Sequence, residues 1–208
     1  LIVKKENGVG RIMLDNQARR NAMTFEMWQS LPSALDDFMA DDNVRVIVVS
    51  GKGGKAFCAG ADISQFEKNR SSEEATAMYN EVVSKASTGL AEIAKPTIAK
   101  IEGFCIGGGL GIAMCCDLRI ANDASSYAVP AAKLGLGYGH GALKRLLDVV
   151  GPSRAKEIFF TARQFTAEEA LGMGIINRVV PRALLDAFVD DYTTRIAENA
   201  PLTIHAAK

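Results

Sequence analysis

The sequence has little of what several functional classes require. Only two histidines and four cysteines occur among 208 residues. The histidines, His140 and His205, lie far apart, so a metal site is not expected. The cysteines form no C-x-x-C pair, and each lies among small or apolar residues. Reduced thiols in a cytosol-like compartment are therefore expected, which favours a cytoplasmic protein.

Net charge is also lacking, because 24 basic residues balance 24 acidic residues. This balance gives no sign of an extended surface for nucleic acid or for an anionic membrane. The longest apolar run, residues 104–116, is too short and too glycine-rich to cross a bilayer, and no secretory signal is recognised. Neither a nucleic-acid partner nor a membrane partner is expected.

What the sequence does contain is an alternation of strand-like and helical segments, which predicts the α/β class with helices covering a sheet. Thr24 and Thr166 are predicted N-caps. No fixed-period repeat or low-complexity linker interrupts the chain, so one domain over 1–208 is predicted. The final residues, P-L-T-I-H-A-A-K, read as the start of a helix, and part of a helical C-terminal region is expected to be absent. The predicted strands are 10–14, 44–50, 97–101, 118–121 and 175–180, and the predicted helices are 25–39, 73–93, 141–150, 152–161, a short one after 166, and 182–199.

Two of the predicted strands end in glycine-rich turns. The strand at 44–50 leads to A-F-C-A-G-A-D-I at 56–63, and the strand at 97–101 leads to F-C-I-G-G-G-L-G at 104–111. A helix that starts at such a turn presents unpaired backbone N–H groups at the positive end of its dipole. Glycine lets a ligand approach these groups closely. The spacing fits neither the P-loop nor the dinucleotide fingerprint.

Two separate N–H donors that point to one place suit a single oxygen that becomes negative during a reaction. Such an oxyanion hole is typical of enzymes that act on carbonyl groups, and each donor contributes about 3–4 kcal/mol to lowering the barrier. The alternative is that Gly107–Gly109 only allow a helix to pack closely on a strand. The occurrence of two such turns favours the oxyanion hole.

The motifs resemble those of the crotonase (enoyl-CoA hydratase/isomerase) superfamily over essentially the whole chain. The matching segments are R-R-N-A-M at 19–23, A-F-C-A-G-A-D-I at 56–63, G-G-G-L-G-I-A-M-C-C-D at 107–117, L-G-L-G-Y-G at 134–139 and A-L-G-M-G-I-I-N-R-V-V-P at 170–181. The resemblance implies a spiral of ββα units and a helical C-terminal region, from about residue 182, that packs subunits into homotrimers or dimers of trimers.

The resemblance also implies that the substrates are coenzyme A thioesters, with no further cofactor. The backbone N–H groups of Ala61 and Gly108 would hold the thioester oxygen as an enolate forms. The residues that would surround the coenzyme and the acyl group are Arg19, Arg20, Ala22, Ala59, Gly60, Asp62, Ile63, Gly107, Gly111, Pro130, Ala131 and Leu134.

Two glutamates that serve hydration in this superfamily are absent. The family places one three residues after the middle glycine and one directly after a proline; here these positions are Gly111 and Ala131. The carboxylate that isomerases and dehalogenases carry in the next turn is absent too, because that position is Gly139. Each lost acid–base group typically costs about 10²–10⁴-fold in rate. Hydration by the two-glutamate mechanism is therefore not expected.

Tyr138 and His140 occupy this turn instead. Tyr138 falls where methylmalonyl-CoA decarboxylase-like members carry a tyrosine that orients the departing carboxylate, and His140 could donate a proton or pair with an acidic acyl group. Packing or solvation would equally explain either residue. Three interpretations therefore stay open: a malonyl-type decarboxylase, a hydratase that uses Tyr138 or His140, and a non-catalytic acyl-CoA-binding or assembly subunit. RNA binding, reported for some relatives, is disfavoured by the zero net charge. Asp62, Glu67 and Asp117 are predicted to serve structure.

Overall fold

Buried β-branched runs form the central sheet of the computed structural model, which describes residues 1–62, 64 and 71–208. Within these residues, six strands pair in the order β1-β2-β3-β5-β7-β10. The pairing is parallel except between β1 and β2, which are antiparallel. The strands are β1 Ile2–Glu6, β2 Val9–Leu14, β3 Val46–Gly51, β5 Thr97–Ile101, β7 Leu118–Asn122 and β10 Arg178–Val180.

A second, smaller sheet is built from very short strands in the order β4-β6-β8-β9. The pairs β4–β6 and β6–β8 are parallel, and β9 runs antiparallel to β8. These strands carry too few residues to show an alternating pattern, so the sequence predicted none of them. They are β4 Ala56–Cys58, β6 Phe104–Ile106, β8 Ser126–Ala128 and β9 Phe165–Thr166.

The helices begin where the sequence provides caps. Thr24 accepts a hydrogen bond from the Met27 N–H at the start of the first helix, and Thr166 forms a full capping box with Glu169. Both caps are confirmed. The helices are α1 Phe25–Met39, α2 Glu73–Glu92, α3 Gly108–Cys115, α4 His140–Thr161, α5 Ala167–Met173, α6 Leu185–Glu198 and α7 Pro201–Ala207.

Strand, strand and helix recur along the chain. Strand β5 of the large sheet passes to β6 of the small sheet and then to α3, and β7, β8 and α4 follow in the same order. The expected α/β class and the spiral of ββα units are thereby confirmed. Because β4 and β6 are neighbours in the small sheet, the chain segments that follow them begin side by side.

The central strands of the large sheet are buried on both faces. Along β3, Val46 and Val48 face one apolar cluster, and Ile47 and Val49 face the other, as the two-residue period of a strand requires. Leu185 and Val189 of α6 cover the first face. The second face joins the main core between the sheets and the remaining helices, which also contains the four cysteines as free, buried thiols.

Several predicted boundaries differ from the structure. The helices predicted at 141–150 and 152–161 form one element that bends at Gly151, whose φ of 78° and ψ of 165° are not helical. The strand predicted from 175 begins at Arg178, because the turn that ends α5 at Gly174 still occupies the preceding residues. The helix predicted from 182 begins as a 3₁₀ turn, Arg182–Leu184, before α6. None of the described helices is long and apolar enough to cross a membrane.

Candidate active site

Each of the three consecutive glycines that start α3 has its own structural reason. Gly107 has φ 54° and ψ −118°, a conformation that L side chains rarely adopt. Gly109 packs against the backbone of β4, and a Cβ there would lie 2.1 Å from the Cys58 carbonyl oxygen. Gly108 has helical geometry, and a Cβ there would lie 3.5 Å from the Ala61 nitrogen. Gly107 thus meets a conformational requirement and Gly109 a packing requirement, and a Cβ on Gly108 would make only ordinary contacts.

The backbone nitrogens of Ala61 and Gly108 lie close to each other at the edge of a cavity. Gly60, with φ 111°, turns the chain towards the start of α3, and a Cβ on it would lie 3.6 Å from the Gly108 nitrogen. Within the described part of the chain, neither the Ala61 N–H nor the Gly108 N–H donates a hydrogen bond. Two free donors that lie close together are what the predicted oxyanion hole requires.

Backbone pairing with the preceding loop holds this turn in place. The Met23 N–H donates to the Gly60 carbonyl at 2.8 Å, and the Asp62 N–H donates to the Met23 carbonyl at 2.9 Å. The Ala59 N–H donates to the Arg20 carbonyl at 3.0 Å. The segment R-R-N-A-M therefore supports the turn through its backbone, a role that side-chain reasoning from the sequence did not identify.

A cavity of about 800 Å³ opens at the two N–H groups. It lies between the ends of the small sheet, α2, α3 and the beginning of α4. Most of the site residues predicted from the sequence line it. These are Ala59, Gly60, Ala61, Gly107, Gly108, Gly111, Pro130, Ala131, Leu134, Tyr138 and His140.

The two positions that lack glutamate both face this cavity. Gly111 lies one turn into α3, and a Cβ there would lie 3.8 Å from the Tyr138 hydroxyl oxygen. Ala131 is buried in the 3₁₀ turn Pro130–Leu134. Among the described residues that line the cavity, none is aspartate or glutamate. This wall offers no carboxylate for proton transfer.

Tyr138 presents its hydroxyl beside the oxyanion-hole turn. The hydroxyl donates to the Gly107 carbonyl at 3.4 Å, and the ring packs edge-on against Phe159 with centroids 4.9 Å apart. Burial raises the pKa of Tyr138 to about 12, because the phenolate would lose its hydration. At neutral pH the side chain is therefore a hydrogen-bond donor and not a base.

His140 is exposed at the cavity rim, where it is the first residue of α4. Its neighbour Gly139 is the N-cap and supplies no side-chain hydrogen bond to the helix. Leu134, 61% exposed, lies at the same rim. The structure places His140 within reach of a large ligand but not deep in the site.

Four predicted residues do not line the cavity. The Arg20 guanidinium lies 4.7 Å from the centroid of the Phe104 ring, Arg19 is exposed on a 3₁₀ turn, and Ala22 is buried in the core. Asp62 accepts hydrogen bonds from the Ser64 N–H and hydroxyl, which lower its pKa. These contacts fit the structural role predicted for Asp62.

Of the other two acids, Asp117 also serves structure, since its carboxylate accepts from the Thr97 N–H and hydroxyl. Ile63 and Glu67 lie outside the described residues.

Sequence reasoning missed the walls that α2 and α4 contribute. Hydroxyl and amide groups of α2 line the cavity at helical spacing, and Arg145 of α4 lines it beside Thr88. Arg145 is the one permanently charged side chain among the described lining residues. No local signal in the sequence identifies Arg145 as a lining residue. Its neighbour Lys144 is also basic, yet Lys144 forms an exposed ion pair with Asp148. The α2 residues concerned are Thr76, Asn80, Ser84, Ser87 and Thr88.

Known proteins share both the sequence pattern and this architecture. A family model described as enoyl-CoA hydratase/isomerase matches residues 4–208. The short-chain-enoyl-CoA hydratase of Clostridium acetobutylicum is 32% identical over 208 residues, which are 100% of this chain and 79% of that protein. The crotonyl-CoA hydratase of Syntrophomonas wolfei subsp. wolfei is also 32% identical, with the same coverage.

A solved structure described as an enoyl-CoA hydratase/carnithine racemase from Magnetospirillum magneticum matches with a TM-score of 0.95 at 34% identity, over 99% of this chain and 77% of that one. An enoyl-CoA hydratase structure from Bacillus anthracis matches with a TM-score of 0.93 at 30% identity, over 99% of this chain and 80% of that one. These matches confirm the crotonase resemblance drawn from the sequence motifs. The chain belongs to the enoyl-CoA hydratase/isomerase family.

Proposed function

We propose that this protein binds acyl-CoA thioesters and stabilises their enolates with the backbone N–H groups of Ala61 and Gly108. The support is the pair of free donors at the mouth of the cavity, together with membership of a family whose named relatives act on enoyl-CoA thioesters. Negative charge that develops on the thioester oxygen would be held by two donors and by the positive end of α3.

The reaction that the site supports best is the decarboxylation of a malonyl-type CoA thioester. The observation that carries this proposal is the absence of any carboxylate among the described cavity-lining residues. In decarboxylation the bond between the substrate's α carbon and its carboxylate breaks, and the electron pair passes into the thioester to form the enolate. Carbon dioxide leaves, and water then protonates the α carbon. The protein needs to supply no base.

Tyr138 would orient the departing carboxylate. Its neutral hydroxyl lies above the open position at Gly111 and makes a long hydrogen bond, 3.4 Å, to the Gly107 carbonyl. By giving up that bond it can donate to a carboxylate on the α carbon. A hydratase that used Tyr138 as its base would need the phenolate, which burial disfavours by raising the pKa to about 12. The geometry therefore favours decarboxylation over hydration by Tyr138.

The test is a panel of thioesters followed by product mass: methylmalonyl-CoA, ethylmalonyl-CoA, crotonyl-CoA and longer enoyl-CoAs. We expect carbon dioxide loss from the two malonyl-type esters, weakened in Tyr138→Phe. Tyr192→Phe is the matched control, because Tyr192 stacks on Phe188 in α6, away from the cavity. Addition of water to crotonyl-CoA would overturn the decarboxylase proposal in favour of hydration, with His140 the next residue to substitute.

Tight binding of every ester without turnover would instead support the remaining alternative, a non-catalytic acyl-CoA-binding or assembly subunit.

We further propose a homotrimer or a dimer of trimers in the cytoplasm, without nucleic acid as a partner. Sedimentation equilibrium would measure the assembly, and RNA gel shifts over a salt series would detect any nucleic-acid binding.

A further inference from the structure

The cavity wall offers a positive charge that the proposed chemistry does not use. Arg145 enters the cavity from α4, half-buried, and its guanidinium donates to the Thr88 hydroxyl at 3.4 Å. A guanidinium has five N–H donors, so this contact leaves most of its capacity for other acceptors.

No carboxylate pairs with Arg145 anywhere in the part of the chain that the structure describes. Asp148, three residues further along α4, pairs at 2.6 Å with Lys144 instead. The lining contributed by α2 consists of hydroxyl and amide groups together with Tyr79 and Val83, and α3 contributes glycine, isoleucine and a thiol. A half-buried cation that faces such a wall is complementary to an anion, and the described residues supply none.

The residues of α3 that line the cavity provide reference positions for locating Arg145. Gly108, Gly111 and Cys115 all line the cavity, and their spacing places them on one face of that helix. Gly108 lies at the proposed oxyanion hole, and Gly111 lies next to the Tyr138 hydroxyl. Cys115 lies about 10 Å beyond Gly108 along the helix axis.

Arg145 lies farther from Gly111 than Tyr138 does. The Tyr138 hydroxyl lies 3.8 Å from a Cβ built on Gly111, and no atom of Arg145 lies within 4 Å of that Cβ. The Arg145 Nη1 atom lies instead 3.8 Å from a Cβ built on Gly141, in the first turn of α4. An acyl chain whose thioester oxygen lies at Gly108 would therefore pass Tyr138 before it reached Arg145.

We infer that Arg145, together with the Thr88 hydroxyl, binds a carboxylate at the distal end of the acyl group, so that the preferred ligands are mono-CoA thioesters of dicarboxylic acids. The inference rests on the proposed binding of acyl-CoA thioesters, but not on which reaction follows. The distal carboxylate is held away from Tyr138, so it is distinct from the carboxylate that decarboxylation would remove.

Matched ligand pairs test this assignment. Glutaryl-, adipyl- and suberyl-CoA each have a counterpart of the same chain length without the terminal carboxylate: pentanoyl-, hexanoyl- and octanoyl-CoA. Affinity is measured by calorimetry on the unmodified protein and on Arg145→Met. We expect at least one carboxylated ester to bind roughly 10- to 100-fold more tightly than its counterpart. Arg145→Met should abolish that ratio and leave the affinity for the uncharged ester within about twofold.

Two further variants separate charge from fold. Arg154→Met removes an exposed arginine of the same helix that does not line the cavity, and it should keep the full preference. Arg145→Lys keeps the charge but not the planar fork of donors, and it should restore part of the preference. Equal affinities within every pair, unchanged by Arg145→Met, would overturn the inference while the acyl-CoA proposal stands. A failure of all six esters to bind would instead refute the acyl-CoA proposal itself.

Discussion

Gly108 and Gly109 are adjacent in the sequence, yet the structure predicts opposite consequences when each is replaced by alanine. At Gly109 the new Cβ would lie 2.1 Å from the Cys58 carbonyl oxygen and 2.8 Å from the Cys58 carbonyl carbon. Both are backbone atoms of a buried strand, so they cannot move aside as the end of a side chain would. Forcing a methyl group into a packed core typically costs 1–3 kcal/mol or more, of which helix propensity returns up to about 1 kcal/mol.

We therefore expect Gly109→Ala to lower the free energy of unfolding by about 2 kcal/mol, which lowers the melting temperature by roughly 4–8 °C in a chain of this size. At Gly108 the nearest atom to a new Cβ is the Ala61 nitrogen at 3.5 Å, an ordinary contact. Gly108→Ala should fold with nearly unchanged stability. Its methyl group, however, would occupy the place of the thioester oxygen in the proposed oxyanion hole, and we expect turnover to fall by about 10²–10³-fold.

Urea unfolding measures the first effect, and turnover of the best substrate in the thioester panel measures the second. Gly172→Ala is the matched control, because Gly172 lies inside helix α5 with nothing within 4 Å of its added Cβ. That variant should gain up to about 1 kcal/mol of stability and keep full activity. A Gly109→Ala protein as stable as the original would refute the packing argument, and a fully active Gly108→Ala protein would refute the oxyanion-hole assignment.

Three further predictions concern the pH dependence of stability, the cap of helix α5 and the change of fluorescence on ligand binding. Burial raises the pKa values of Cys58 and Tyr138 to about 12, above their ordinary values of 9.0 and 10.0. The folded chain therefore keeps protons that the unfolded chain releases. Because of this difference, the urea midpoint should fall as pH rises from about 9 towards 12. A midpoint that held constant over this range would contradict that linkage. Thr166→Ala removes the capping box of α5 and should cost about 1 kcal/mol in urea unfolding, whereas Thr166→Ser should cost much less. Trp28 is the one tryptophan in the sequence and lines the cavity, so binding of an acyl-CoA should change the intrinsic fluorescence. Free adenine nucleotide at the same absorbance serves as the optical control. An unchanged signal at saturation would place the ligand elsewhere.

The sequence predicted most accurately those elements whose signals are local. Helix α1 was predicted with its exact bounds, because Thr24 is a typical N-cap and the apolar residues behind it recur at helical spacing. Strand β3 is a run of valine and isoleucine, and only its ends differed from the prediction. Strand β1 was missed, since I-V-K-K-E carries more charge than apolar surface and lies exposed at the sheet edge.

The candidate site also combines features formed by residues close in sequence with features formed by residues far apart in sequence. Glycine turns after strands predicted where the backbone donors lie, because a turn and the helix start behind it are adjacent in the chain. The walls of the cavity come from elements far apart in sequence: Arg145 and Thr88 are 57 residues apart and meet only because α2 and α4 both pack near α3. No short-range pattern distinguishes a helix face that lines a cavity from one that faces solvent.

The pairing of β4 with β6 has a consequence for how this family can change its chemistry. Ala61 and Gly108 lie three and two residues beyond the ends of these neighbouring parallel strands, so backbone pairing sets the distance between the two donors. That distance depends on main-chain geometry alone and is indifferent to the side chains at positions such as Gly111 and Ala131. If the proposed function holds, catalytic carboxylates can therefore be lost or gained along α3 and the following turn while the two N–H groups keep their separation.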